Sequence, residues 1–274
     1  MGRNRRWQCL SGMVITVIVL GSSVLVRAQT PSPTPSLERE FFKNILHDQK
    51  AIWTAPFHLE RSDAKWAIPA GVGFMALVTT DRITGDEIFE ANRQVNASRV
   101  VSYAGSIYGL GAVATTFYLV GRNSNNYRAR ETGLLSAEAL TNSVIAGVAL
   151  KGITQRARPM AGAERSEFFD GGASFPSGHS TQAWAVAAVI ASEYKHRAAV
   201  QIAAYGIASA VSVARFTGHK HYLSDVVAGS AMGYAIGKFV FNAHHRESDE
   251  SAWMITPQYN RVARRYGLAL KWKF

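Results

Sequence analysis

The sequence predicts an all-α fold, a helical bundle of about six core helices with a short C-terminal β-hairpin. Three observations lead there. Six segments rich in Ala, Gly, Val and Ile lack the strict alternation of strands and are bounded by charges. Apolar residues make up 47% of the 274 and charged residues only 18%, and 23 Gly stand against 8 Pro, which excludes a disordered or collagen-like chain. The last stretch, Tyr266 to Phe274, does alternate, large apolar against small or basic, and can pair with Trp253 to Gln258.

Residues 1–28 read as a secretory signal peptide. Arg3, Arg5 and Arg6 form its basic start, Leu10 to Val26 its apolar run, and Val26-Arg27-Ala28 a small-residue cleavage site. The alternative is an uncleaved anchor, because that run sits at the lower limit for a bilayer span. Residues 29–36 are a Pro/Ser/Thr linker, extended and without a core of its own. Residues 37–65 form an N-terminal helical segment: Ser36 caps a helix from Leu37 to about Gln49, whose Leu37, Phe41 and Ile45 share one face that packs on the body.

The bundle proper occupies residues 66–241. Its helices are Trp66 to Thr80, Val100 to Val120, Leu134 to Leu150, Ser180 to Ser192, Ala198 to Ala214 and Val226 to Phe241. Their small residues permit close approach, in a soluble or a membrane bundle alike. Residues 242–274 are a C-terminal extension holding the hairpin. Asp81 to Arg99 reads as a solvated loop, and in a sharper reading as a lid over the site. The one cysteine, Cys9, lies in the leader, so a disulfide framework or thiolate metal site in the mature chain is excluded. The formal charge of +11 falls to +7 without the leader's four cations and favours anionic partners. No segment carries the basic and aromatic stripe of a nucleic-acid binder.

If short connections make consecutive helices antiparallel, three clusters meet at one end of the bundle. Lys151 and Arg158-Pro159 close the third helix. Ser177-Gly178-His179 opens the fourth, where an N-cap, a glycine and free backbone N–H groups make a cradle for phosphate. Arg215 precedes His221 and Asp225, which stand four apart, so the carboxylate can accept the ring N–H and leave the other nitrogen as nucleophile or base. A metal site built from His219, His221 and Asp225 is the rival reading, and Lys220 and Arg215 would repel its cation. Together the clusters supply what a phosphoryl group needs: cations and amides for its oxygens, one His to attack and another to protonate the leaving oxygen, with no divalent metal required.

These residues resemble the type 2 phosphatidic acid phosphatase and vanadium haloperoxidase superfamily. The pattern runs through Lys151 with Arg158-Pro159, Pro176-Ser177-Gly178-His179, and Arg215 with His221 and Asp225, over residues 100 to 241. Ala214 departs from it, standing where the family usually has Ser. The resemblance implies a metal-independent phosphatase acting on phosphate monoesters or diphosphates through a phosphohistidine. In that scheme His221 is the nucleophile, Asp225 its orienter and His179 the acid, while Lys151, Arg158, Ser177, Gly178 and Arg215 hold the phosphoryl oxygens. It implies no cofactor, vanadate as an inhibitor, and a phosphorylated small molecule or lipid as substrate. The expected location is exported, periplasmic or envelope-associated, with a membrane-embedded chain as the alternative. The competing functions are a non-catalytic envelope bundle that binds phosphate and a vanadate-dependent haloperoxidase.

Overall fold

The computed structural model describes residues 37–58, 60, 61, 63–86, 98, 100–159, 166–250, 253–260 and 265–272. The leader and linker lie outside them. Among the described residues the long helices are α1 (Leu37–Thr54), α2 (Ala64–Asp86), α3 (Ile107–Asn123), α4 (Tyr127–Thr154), α5 (Gly178–Glu193), α6 (Ala198–Thr217) and α7 (Leu223–Glu250). A 3₁₀ turn, Ala55–His58, follows α1. The expected hairpin forms as β1 (Trp253–Asn260) antiparallel to β2 (Arg265–Trp272), with Trp253 opposite Trp272.

All six expected core helices exist, with shifted ends. The second is interrupted: residues 100–104 are helical, the chain turns at Gly105, and the helix restarts at Ile107, where Ser106 accepts from the N–H of Gly109. The third begins seven residues early for the same reason, with Asn126 capping Ala129. Helix α1 extends to Thr54, its Ile45 is buried, and Leu37 and Ile52 pack on the core as its apolar face requires.

Helix α5 is the hub. It is apolar all round, as a helix surrounded by others must be. One buried cluster joins its Ala183, Val186 and Ala187 to Leu110, Leu140, Ala208 and Val211. A second joins its Ala185 and Val189 to Leu135, Ala139, Ala146, Ile236 and Val240. Against α7 the approach is at backbone distance. A Cβ on Gly233 would lie 2.1 Å from the Thr181 carbonyl oxygen, and one on Gly237 would lie 2.2 Å from that of Ala185. Gly229, one turn earlier, faces the Ser177 carbonyl. Glycines four apart on one helix face therefore let α5 and α7 touch main chain to main chain.

That contact yields a prediction. Gly233→Ala should cost about 1–3 kcal/mol or more through overpacking against backbone, read as a lowered thermal midpoint. Gly206→Ala, on an exposed turn of α6 with open space at the Cβ position, should raise it slightly.

Candidate active site

Alternating helix directions bring the C-termini of α4 and α6 and the N-termini of α5 and α7 to one end, as the parity of the sequence requires. After α4 the chain turns through Gln155 in the left-handed region, φ 43°. Residues 155–157 then pair through backbone hydrogen bonds with 167–174. Gly172 is required there, since a Cβ would stand 2.2 Å from the Arg156 carbonyl oxygen. This pairing brings Ser174 beneath the site.

Lys151 donates from Nζ to the Ala173 carbonyl at 2.7 Å. Its Cε stands 3.8 Å from the position of a Gly178 Cβ, which sets the ammonium group beside the N-terminus of α5. Ser177 occupies the N-cap position, but its side chain does not cap. Ser180 Oγ donates to its hydroxyl at 3.1 Å, and its backbone N–H goes to the Asp225 carbonyl at 3.0 Å, tying α5 to α7. His179, in the first turn of α5, is half-buried. It lines a cleft of about 500 Å³ with Arg215, Gln182, Ser102, Tyr103 and Tyr108. Arg215 donates from Nη1 to Ser102 Oγ at 3.3 Å, while its buried Nε has no hydrogen-bond partner among the described residues. Arg158 is exposed beside these groups, and its charge reaches His179. Ala214 also lines the cleft.

His221 is buried in the turn between α6 and α7. Its Nδ1 stands 2.8 Å from the Ser174 carbonyl oxygen and 3.8 Å from Asp225 Oδ2. A carbonyl only accepts, so Nδ1 carries the hydrogen and the lone pair of the neutral ring lies on Nε2. The direct orienter is thus a backbone carbonyl, with Asp225 one step behind it. The reason is that the carboxylate is already occupied. Oδ1 accepts from Arg156 Nη1 at 2.6 Å, and Oδ2 accepts from the Ser174 hydroxyl and, at 3.0 Å, from the Tyr222 N–H.

Arg156 is the group that sequence reasoning passed over. It is fully buried, with Phe168 and Tyr222 rings 4.6 and 4.5 Å from its guanidinium carbon. Beyond Asp225 it donates to Ser224 Oγ and to Asp81 Oδ2, both at 2.7 Å, and Ser224 in turn donates its hydroxyl and its N–H to Asp81. Asp81 therefore corrects the loop expected from Asp81 to Arg99: α2 continues through Asp86, and Asp81 is a fully buried partner of Arg156. Of the remainder Ser98 is described, buried with its Oγ 3.0 Å from Thr217 Oγ1, while Glu87, Arg93 and Arg99 lie outside the described residues, as do the side chains of Arg82 and Asp86. No local spacing links positions 81, 156 and 225, so no sequence signal could have joined them.

Electrostatics follow from burial and from the cations. Burial pushes His221 down to about 4, and Arg215 and Lys151 push the same way against the pull of Asp225. Burial, with Arg215, His221, Lys151 and Arg158, likewise lowers His179 to about 4. Burial alone would raise Asp225, but its contacts to His221, Arg156 and Ser174 hold it below the usual carboxylate range. Both imidazoles are therefore neutral at pH 7, which leaves an unshared lone pair on one nitrogen of each ring. The rival metal set is not assembled: among the described residues the His, Cys, Asp and Glu side chains whose ligand atoms gather in a group of three are Glu131, Glu193 and His245, at the other end of the bundle.

A pH dependence of stability follows. Between an unfolded value of 6.5 and a folded value of about 4, the unfolded chain takes up protons at 221 that the folded chain refuses, so stability is lost as pH falls through that window. His221→Gln should flatten the fall in thermal midpoint between pH 6.5 and 4. The flattening should be partial, since His179 titrates in the same sense. A slope identical to wild type would place the proton uptake elsewhere.

The same region is where the chain is similar to known proteins. A family model described as the PAP2 superfamily matches residues 132–249. The lipid A 1-phosphatase of Porphyromonas gingivalis is 38% identical over 66 residues, 24% of this chain and 15% of that protein. A PA-phosphatase related-family protein of Dictyostelium discoideum is 29% identical over 143 residues, 46% of this chain and 52% of that one. The chain thus spans about half the length of one curated relative and a small part of the other. Among solved structures, a transmembrane PAP2 type phosphatidylglycerolphosphate phosphatase from Bacillus subtilis aligns with 21% identity and a TM-score of 0.47, over 76% of this chain and 96% of its own. LpxE of Aquifex aeolicus aligns with 16% identity and a TM-score of 0.43, over 60% and 93%.

Proposed function

We propose, from the premise that residues 132–249 belong to the PAP2 superfamily, that this protein is a phosphatase that cleaves phosphate esters of lipids through a phosphohistidine. The observation that carries the reading is a neutral, buried His221 whose Nδ1–H is fixed on the Ser174 carbonyl, at the end of the bundle that also holds Lys151, His179, Arg215 and the N-terminus of α5.

The bound phosphoryl group lies among Lys151, Arg158, Arg215 and the Gly178 N–H at the start of α5, which neutralise its oxygens, while the Ser177 N–H, expected to join them, is held by the Asp225 carbonyl. The lone pair on His221 Nε2 attacks phosphorus and forms a P–N bond while the P–O bond to the leaving group breaks. His179, protonated once the dianion is bound beside it, gives its proton to the leaving oxygen. Water then attacks the phosphohistidine, its proton returns to His179, and phosphate departs with His221 restored to neutrality. The cations and the helix N-terminus supply the positive charge, so the scheme requires no metal ion.

The lipid part of the proposal rests on the protein's own surface. Helices α4 and α6 are, among the described residues, the two long and apolar enough to cross a membrane. In α6 only 28% of that apolar window is buried within the protein, against 56% in α4. Trp66, Val72 and Met75 on α2, Tyr108 and Leu119 on α3, and Ile202 and Val213 on α6 are all exposed, more apolar surface than a water-facing bundle ordinarily shows. The basic, apolar leader supports export, with the phosphate chemistry outside the cytoplasm.

His221→Ala should abolish hydrolysis, and acid-quenched wild type should carry phosphate on that ring. Turnover that survives in the purified variant would refute the assignment. His179→Ala should leave phosphorylation by an aryl phosphate with a good leaving group nearly intact and slow an alkyl or lipid phosphate by about 10²–10⁴; equal losses on both would remove the acid role. Vanadate should inhibit competitively with substrate, measured by its effect on KM.

A further inference from the structure

The end of the bundle remote from the cleft holds a second cluster of titratable side chains. It forms where the first turns of α4, the last turn of α5 and the outer part of α7 meet. Part of it is internally satisfied. His244 Nε2 stands 2.7 Å from Glu138 Oε1, and Asn142 donates to Asp48 Oδ2 at 2.8 Å.

Glu193 is different. Its side chain is only 5% exposed, and its Oε1 has no hydrogen-bond partner among the described residues. A buried carboxyl oxygen left this way is costly unless it takes up a proton or a cation stands beside it, and burial, with Glu131 nearby, pushes Glu193 up to about 8, so a cation bound here displaces that proton. What faces Oε1 is His245 Nε2, 3.9 Å away. Together with Glu131 these residues bring one ligand atom each to within 4.8 Å of the others. The His245 ring is held in place from behind: Nδ1 stands 2.9 Å from the Phe241 carbonyl oxygen, and the ring stacks on that of Phe241 with centroids 4.0 Å apart. An imidazole with one nitrogen tied to a carbonyl and the other aimed at carboxylates has the arrangement of a metal-ligating histidine.

We infer that Glu131, Glu193 and His245 bind a divalent transition cation of the zinc class. With ligand bonds of roughly 2.0–2.2 Å, two atoms on one tetrahedral ion stand about 3.3–3.6 Å apart, so the 3.9 Å separation lies a few tenths of an ångström from that span. Glu131 and His245 are both partly exposed and can close the rest by small rotations. One imidazole and two carboxylates suit Zn²⁺, with water as the fourth ligand. The ion would join α4, α5 and α7 at the end opposite the phosphate chemistry, so the inference stands apart from the proposed reaction.

The test uses the full chain, purified in detergent without a histidine tag and stripped with EDTA. Titration with Zn²⁺ by calorimetry should give one saturable site and a raised thermal midpoint, and Co²⁺ should give visible absorption of a nitrogen- and oxygen-ligated ion. Glu193→Gln should weaken binding more than about tenfold and remove the thermal shift, whereas His196→Ala should bind as wild type. Should Glu193→Gln fail to fold, His245→Ala, at a side chain 39% exposed, gives the same readout. Absence of a saturable site, or equal affinity in both site variants and wild type, would overturn the inference.

Discussion

The active end of this protein depends on one buried cation. Arg156 sits between Asp81 of α2 and Asp225 of α7 with all three side chains fully buried. An ion removed from water must recover its solvation from fixed partners, and breaking such a set by deleting one member costs about 3–5 kcal/mol. Arg156 recovers it from two carboxylates, a hydroxyl and a backbone carbonyl, with two aromatic rings beside it. The same contacts set the position of Asp225, whose other oxygen holds the Ser174 hydroxyl, and the Ser174 carbonyl in turn receives the His221 ring. A fully buried guanidinium thus holds the His221 ring in place through Asp225 and Ser174.

Around that network the fold divides its labour. Helices α5 and α7, in contact through Gly229, Gly233 and Gly237, form a platform that also ties Ser177 to Asp225 by backbone. The short segments at its end carry the residues of the proposed phosphatase site: the turn before α7 carries His221, the start of α5 carries His179, and the stretch after α4 carries Arg156 and Arg158. Rigid helices with polar and charged side chains at their tips would suit the proposed phosphoryl transfer, in which positioning and charge do most of the work.

Much of this was legible in the sequence. Apolar runs bounded by charge marked each core helix, alternation marked the hairpin, and short connections dictated that Lys151, His179, Arg215 and His221 share one end. Local rules failed where contacts are distant or where two local options compete. Asp81 read as loop because its apolar run ends at Thr80, yet its partner lies 75 positions away at Arg156. The spacing of His221 and Asp225 suggested a direct pair, which holds only at 3.8 Å because Arg156 and Ser174 take the carboxylate first. Ser177 stands at the N-cap, but its hydroxyl accepts from Ser180 instead of the backbone. The restart of α3 at Ser106 depended on choosing a cap inside an unbroken apolar run.

The main-chain seam between α5 and α7 also constrains how this protein can change. Helices that meet without intervening side chains have no lubricating layer, so the register between them cannot slip to widen the cleft. Any variation in width falls to the wall that carries Ser102, Tyr103 and Tyr108, which faces the platform but is not welded to it. Under the proposed phosphatase function, selectivity among esters would therefore drift on one bank while the bank holding His179 and His221 stays intact, an economical arrangement for descendants of the same scaffold that meet new alcohols.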